Sequence, residues 1–403
     1  MRLTSLTIQH YKSLANVKLD DIQPATILVG PNAAGKSNVV DVLKFLRDMV
    51  SEGLDHAIST RGGITTIRQH SRTKPYQISI KLCLSDDEFE DGEMRDASYE
   101  ITISSLVAGN YKIERETALW YEDLYEYNEE TEEVDTVGIN RNSMQRTSEG
   151  KLFMDGEEAK PILPPDQIAL GLTLFRHSGG IASKISDFVR SLRFSTIFPN
   201  TLREPRKPDA DNNLKESGEN WASVLKALKR TPKGRHELER IKEMMQIVMP
   251  TMKDISVKAV GGYLVPQIRV TEAGGKKDAI YDLDPSQLSD GTLRVLGILL
   301  ALYQHPHPKF VAIEEPEQTV HPGLLAMLAE SFHEASERTQ LLITSHSPHL
   351  IEYFKPEEIR VVAQEDGETR VTKIKSAQLE AIKERLISIQ ELMLAEGLQV
   401  EEA

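Results

Sequence analysis

ATILVGPNAAGKSNVVDVLKFL, residues 25–46, decides the fold of this chain. ATILV is a continuous apolar run of strand length, and it breaks into GPNAAGKS at 30–37. Val39, Leu43 and Leu46 then recur at helical spacing. The loop fits G-x-x-x-x-G-K-[ST] between a buried strand and an amphipathic helix. In that setting the backbone N–H groups and the helix dipole converge on an anion. Gly30, Pro31, Asn32, Ala33, Ala34, Gly35, Lys36, Ser37 and Asn38 are therefore expected to cradle a nucleotide's phosphates. Lys36 would reach the terminal phosphates, and the Ser37 hydroxyl would ligate Mg2+.

Around this loop the chain alternates between patterns. Leu3, Leu6 and Ile8 read as a strand, and strand-like runs recur between 76 and 119 (YQISIKLCL, YEITISSLV, NYKIERETALW). Residues 122–135 hold eight acids and no base, which predicts a solvated loop or an edge hairpin. Residues 199–219 are a polar connector, 220–250 are helical, and ISVKAV and LVPQIRV are strands. From 281 onward strand and helix alternate, which predicts a parallel sheet covered by helices. The expected organisation is an N-terminal lobe with the phosphate loop (1–84), a strand-rich insertion and connector (85–215), and a helical and strand insertion (216–280). A C-terminal lobe (281–375) and a C-terminal docking segment (376–403) follow.

Bulk properties narrow the field. At 403 residues the chain is long enough for two or three lobes. A net charge of −14 argues against non-specific coating of nucleic acid. Cys83 is the single cysteine, so no disulfide framework is expected. No run approaches the roughly 18 apolar residues of a membrane span, and MRLTSLTIQHYKSL lacks a signal-peptide core. A cytoplasmic protein is the expectation.

Three further stretches carry chemistry. VAIEEPE, 311–317, ends an apolar run in two glutamates. Ligands of α/β sheets sit beyond the carboxyl ends of strands, and adjacent strand residues point to opposite sides. Glu314 is therefore assigned to the metal through water, and Glu315 to the attacking water. LLITSHSPH, 341–349, is a second apolar strand that would bring His346 to the same edge, within reach of a γ-phosphate or that water. LSDGTLR, 288–294, opens an apolar helix: Ser289 is a good N-cap, Gly291 admits close backbone approach, and the free amides of the first turn make an anion site.

In their order along the chain, GPNAAGKS, LSDGTLR, AIEEPEQTVHP and ITSHSP resemble the ABC-type ATPase heads of the RecF/SMC and OLD group. The correspondence is to Walker A, signature, Walker B with D-loop, and switch-histidine loop; LTIQHYKSL resembles the first strand of such heads. The match covers about residues 1–84 and 281–365. The resemblance implies an α/β ABC-ATPase head with a strand-rich N-terminal lobe, a parallel-sheet P-loop core covered by helices, a helical insertion and no long coiled coil. It also implies ATP with Mg2+ as cofactors. Two chains would form a homodimer around two ATP molecules, with Ser289 and Gly291 acting in trans. Asp290, Thr292 and Glu314 depart from the transporter pattern and point away from a transporter subunit. Gln69 is the candidate for the glutamine loop that contacts the metal.

OLD-type proteins fuse a Toprim nuclease to the head. The one Asp-x-Asp here, Asp209-Ala210-Asp211, lies in the polar connector. The expectation is thus an ATP-hydrolysing head that gates a separately encoded effector, a Toprim-type or other nuclease, in phage defence. A RecF-like DNA-repair ATPase and a nucleotide-gated scaffold with negligible turnover are the alternatives. Leu379, Ile382, Leu386, Ile389 and Met393 form a seam spaced 3, 4, 3, 4 for a partner or for the chain's own body. Lys226, Lys229, Arg230, Lys233 and Arg235 form an acid-free basic run for nucleic-acid contact or a solvated helix face.

Overall fold

The apolar runs named above form strands, and a computed structural model shows how they assemble with others that the patterns did not mark. It describes residues 1–69, 76–86, 95–128, 133–159, 162–172, 182–271 and 280–400. In chain order these contain β1 (Arg2–Tyr11), β2 (Leu14–Leu19), β3 (Ala25–Val29), β4 (Gln77–Asp86), β5 (Arg95–Ser105) and β6 (Tyr111–Asn128). Next come β7 (Glu133–Arg146), β8 (Leu152–Met154), β9 (Glu157–Ala159), β10 (Leu192–Ser195), β11 (Met252–Val260) and β12 (Tyr263–Thr271). The last are β13 (Ile280–Leu283), β14 (Phe310–Glu314), β15 (Gln340–Ser345), β16 (Ile359–Glu365) and β17 (Glu368–Thr372).

The core sheet has the order β10-β14-β15-β3-β16-β17. It is parallel except for β17, which returns antiparallel beside β16. All five residues of β3 and all six of β15 are buried. Alternate residues feed different cores. Leu28, Phe310, Ala312, Leu342 and Val362 pack with the phosphate-loop helix Lys36–Glu52 and the N-terminal strands. Ile27, Val29, Val311, Ile313, Leu341, Ile343 and Val361 pack with the helices Trp221–Leu228, Pro232–Val248, Asp290–Tyr303 and Leu325–Ser336. Burial on both faces explains why these strands read as unbroken apolar runs.

An antiparallel sheet, β2-β1-β4-β5-β6-β7-β8-β9, lies over the first core. Its strands alternate as half-buried strands should: Ile78, Ile80, Leu82 and Leu84 of β4 point inward, opposite Ala97, Tyr99, Ile101 and Ile103 of β5. The acidic run 122–135 lies in the β6–β7 hairpin, although residues 129–132 are outside the described residues. A third sheet, β11-β12-β13, covers the second core.

Two segments fold in ways their sequence patterns left open. The connector is ordered: its helix Pro199–Arg203 offers the Leu202 carbonyl to Trp221 Nε1 at 3.1 Å, and Asp209 and Asp211 close consecutive turns by accepting from Asp211 N and Asn213 N. The C-terminal seam is not one helix. Arg385 takes a left-handed φ of 57° between the helices Ser376–Lys383 and Ile389–Ala395, and Ser388 starts the second with a capping box to Glu391. Leu379, Ile382, Ile389 and Met393 pack on the chain's own core, while Leu386 remains 75% exposed. Local capping overrode the heptad spacing.

Glu116 on β6 is fully buried. It accepts from Tyr99 Oη (3.0 Å) and from the amides of Ala169 (2.7 Å) and Leu170 (2.9 Å). Burial pushes its carboxyl up; the two amides, Tyr99 and the Arg146 guanidinium oppose that shift. Arg146, also buried, donates to the carbonyls of Ile113 and Pro164. The cluster thereby clamps residues 163–170 to the sheet. Glu116→Ala would strand two buried amides and the buried Tyr99 hydroxyl, while Arg146 keeps its carbonyl acceptors. A destabilisation of about 1–3 kcal/mol is expected in chemical denaturation, with a smaller loss for Glu116→Gln, which keeps an acceptor.

Candidate nucleotide site at the carboxyl edge of the parallel sheet

The site forms because β3 stops at Val29. A Cβ on Gly30 would stand 2.0 Å from the Val362 carbonyl oxygen, so only glycine lets the chain leave the sheet there. Ala33 (φ 65°) and Gly35 (φ 106°) then wrap the loop over the start of the helix. Gly35 caps that helix without a side-chain hydrogen bond, which leaves first-turn amides available to an anion. The loop is braced from β17. Thr369 Oγ1 donates to the Ala34 carbonyl at 2.9 Å and lies 2.7 Å from Ser13 Oγ, which in turn accepts from Asn38 Nδ2 at 2.8 Å.

Lys36 is buried. Its ammonium turns back onto its own loop, donating to the carbonyls of Gly30 (2.8 Å) and Pro31 (3.0 Å). Burial lowers its pKa, opposed by Glu315 and Glu317.

Glu315 sits just beyond β14 with a left-handed φ of 44°, a conformation a non-glycine residue keeps only when its surroundings enforce it. Its amide donates to Thr344 O (3.0 Å) and Thr344 Oγ1 (3.2 Å), and its carbonyl accepts from Arg294 Nη2 at 2.8 Å. Its carboxylate faces His346 Nδ1 at 3.4 Å and accepts from Gln318 Nε2. Arg294 also donates to the Ile197 carbonyl at 2.7 Å, and burial holds its pKa below the ordinary value. The lone arginine in LSDGTLRVLGILL was the available signal for this buried brace, and the sequence reading passed over it.

Glu314, one residue earlier, lies on a different contact set. Its Oε1 accepts from Lys44 Nζ at 2.9 Å and lies 3.4 Å from Thr196 Oγ1. Lys44 also bonds Glu216 at 2.6 Å, and despite burial the two carboxylates hold it above its ordinary pKa. Gln69 is buried and donates to Glu368 Oε1 at 3.0 Å, so its side-chain amide is already used beside the β17 brace.

At the signature segment, Ser289 caps its helix by accepting from Thr292 N (3.2 Å) and stays exposed. A Cβ on Gly291 would meet the Thr319 carbonyl at 2.6 Å. This glycine admits the neighbouring turn rather than only a ligand. Arg203 of the connector fixes the same corner through Asp290 Oδ1 (2.6 Å) and the Leu288 carbonyl (2.9 Å).

Lys36, Ser37, Glu315, Glu317 and His346 thus share one sheet edge. This donor set of hydroxyl and carboxylate oxygens fits a hard divalent cation. Among the described residues no group of three or more His, Cys, Asp or Glu could hold an ion alone. Nucleotide oxygens and water would complete the shell, as Mg2+ prefers. Nor is any helix among the described residues long and apolar enough to cross a membrane.

Strand, glycine loop and converging carboxylates define a P-loop nucleotide-binding ATPase fold. A family model described as "AAA domain, putative AbiEii toxin, Type IV TA system" matches residues 25–352, and the chain belongs to that family. Among solved structures the fold is similar to an SMC head bound to the C-winged helix domain of ScpA: TM-score 0.56, 11% identity, 95% of this chain and 100% of that chain covered. It is also similar to the Pyrococcus furiosus SMC head with an extended coiled coil, bound to the C-terminal domain of ScpA (TM-score 0.50, 13% identity, 96% and 99% covered). No curated protein matches the chain.

Gly35→Ala would force both a disfavoured φ and a Cβ 2.1 Å from Thr369 Oγ1. Strain of about 1–3 kcal/mol predicts nucleotide binding weakened about tenfold or more, read by titration with a fluorescent ATP analogue.

Proposed function

We propose that this chain hydrolyses ATP as a head that closes on a second copy of itself, and that closure gates a separately encoded effector acting on nucleic acid in phage defence. The observation that carries the reading is the convergence of Lys36, Glu315 and His346. They come from three separated segments and meet at one edge of the parallel sheet.

The residues divide the work. The loop amides bind the phosphates, and Lys36 exchanges its two loop carbonyls for terminal phosphate oxygens. Glu315, held by Arg294 and Thr344, orients a water and takes its proton. His346, 3.4 Å from Glu315, keeps that carboxylate aimed and offers a hydrogen bond to the departing phosphate. A bound Mg2+ would neutralise charge on the phosphate oxygens, with Ser37 as its protein hydroxyl. The Ser289 cap is exposed, as a residue serving the partner copy's nucleotide must be.

Support for a protein partner comes from the two SMC heads, each solved with ScpA bound. The family description, with its toxin and TA system, supports the defence setting. Lys226, Lys229, Arg230, Lys233 and Arg235 are exposed around the turn between two helices and support contact with a nucleic-acid backbone.

Lys36→Ala is expected to abolish ATP binding. Glu315→Gln should still bind ATP but release phosphate about 100-fold more slowly or worse. Ser289→Arg should block ATP-dependent dimerisation in light scattering while leaving binding by the single chain intact. Equal, negligible phosphate release from wild type and Glu315→Gln would leave ATP as a clamp only, and hydrolysis would be struck from the reading.

A further inference from the structure

The helix Asp290–Tyr303 carries one charge into its apolar body. Every residue from Leu293 to Tyr303 is buried, and Arg294 is the only charged one among them. Its guanidinium bonds two backbone carbonyls, Ile197 O at 2.7 Å and Glu315 O at 2.8 Å, and its Nε is buried without a hydrogen-bond partner. Burying a charge on carbonyls alone is costly, and an apolar side chain would fill this space at less cost.

Through this charge Glu315 is held from two sides. Its amide belongs to the sheet, by way of Thr344 O (3.0 Å) and Thr344 Oγ1 (3.2 Å). Its carbonyl belongs to the helix, by way of Arg294. The same helix meets the following turn again, where a Cβ on Gly291 would stand 2.6 Å from the Thr319 carbonyl. The strand before Glu315 thus follows the sheet, in register with β15, and the turn after it follows the helix. Glu315, with its φ of 44°, is the junction at which any shift of the helix against the sheet is taken up. At the outer end of the helix Ser289 is exposed, five residues and about 7.5 Å along the axis from Arg294.

We propose that Arg294 is a positioning residue that makes the water-activating pose of Glu315 depend on the seat of its own helix, so that docking Ser289 on the partner copy's nucleotide sets hydrolysis at this chain's own site. The proposal rests on the reading above of an ATP-hydrolysing head that closes on a second copy. One end of a rigid helix meets the neighbouring nucleotide, and one side chain on it grips the carbonyl of the general base. Each site of the pair would then feel whether the other is filled.

The test compares Arg294→Met and Arg294→Lys with the wild-type chain. Methionine keeps the length without the donors; lysine keeps the charge without the planar fork and serves alone if the methionine variant does not fold. Both are expected to bind a fluorescent ATP analogue as wild type does, and, in a Glu315→Gln background, to dimerise on ATP as Glu315→Gln alone does. Phosphate release at saturating ATP should fall about 10- to 100-fold, a loss in kcat with KM little changed. Wild-type kcat in Arg294→Lys overturns the proposal. So does loss of analogue binding or dimerisation in that variant, which would make Arg294 a prop for the fold alone. The relay itself is read from Ser289→Ala, Arg294→Lys and the double variant. If Arg294 carries the effect of Ser289, the double variant is about as slow as the slower single one; losses that multiply overturn the relay. Absence of phosphate release from wild type strikes the hydrolysis reading instead, and a wild-type rate per chain independent of concentration strikes the closure on a second copy; either takes the relay with it.

Discussion

The pairing of Ser345 with Val29 is the constraint from which the site follows. β3 is closed in by β15 on one side and β16 on the other, and both of its faces are buried. A strand so enclosed has no freedom to slip, because a shift of one residue would exchange its two core faces. Its end is therefore fixed, and the Val362 carbonyl fixes the direction of exit by leaving no room for a side chain at Gly30. The same register sets Thr344 opposite Glu314, so that its carbonyl and hydroxyl meet the next amide, that of Glu315. A left-handed turn after β14 and a phosphate loop after β3 are two results of one alignment.

Electrostatics then sort the acids. Three glutamates lie within four residues of sequence, yet they meet different cations. Lys44 takes Glu314, while Glu315 and Glu317 turn toward His346 and the field of Lys36. Glu314 is thereby drawn off to Lys44, while Glu315 and Glu317 stay together beside His346.

Much of this was legible in the sequence. Buried strands announce themselves as unbroken apolar runs, and the glycine loop, the Ser289 cap and the ordered succession of motifs follow from local chemistry. What stayed hidden depends on direction after a strand ends. Alternation of side chains holds only while the backbone is extended. It lapses at Glu315, whose φ is 44°, so no rule of neighbours could foresee Glu317 folding back over β15. The roles of Lys44 and Thr369 depend on partners far along the chain, Glu314 and Ala34 respectively. Gly291 was read as room for a ligand because the Thr319 carbonyl that fills that room comes from another element. The C-terminal seam packs on the chain's own core, one of its two readings, but as two helices, because the Ser388 capping box starts a second one.

The brace from Thr369 to Ala34 spans 335 residues of chain. Its consequence lies in the order of assembly during synthesis. The phosphate loop leaves the ribosome well before β15, β16 and the β17 brace that hold it. Until they emerge, β3 is an apolar strand with two bare edges, the kind of segment that associates wrongly when left waiting. The slower the elongation, the longer that strand waits for its partners.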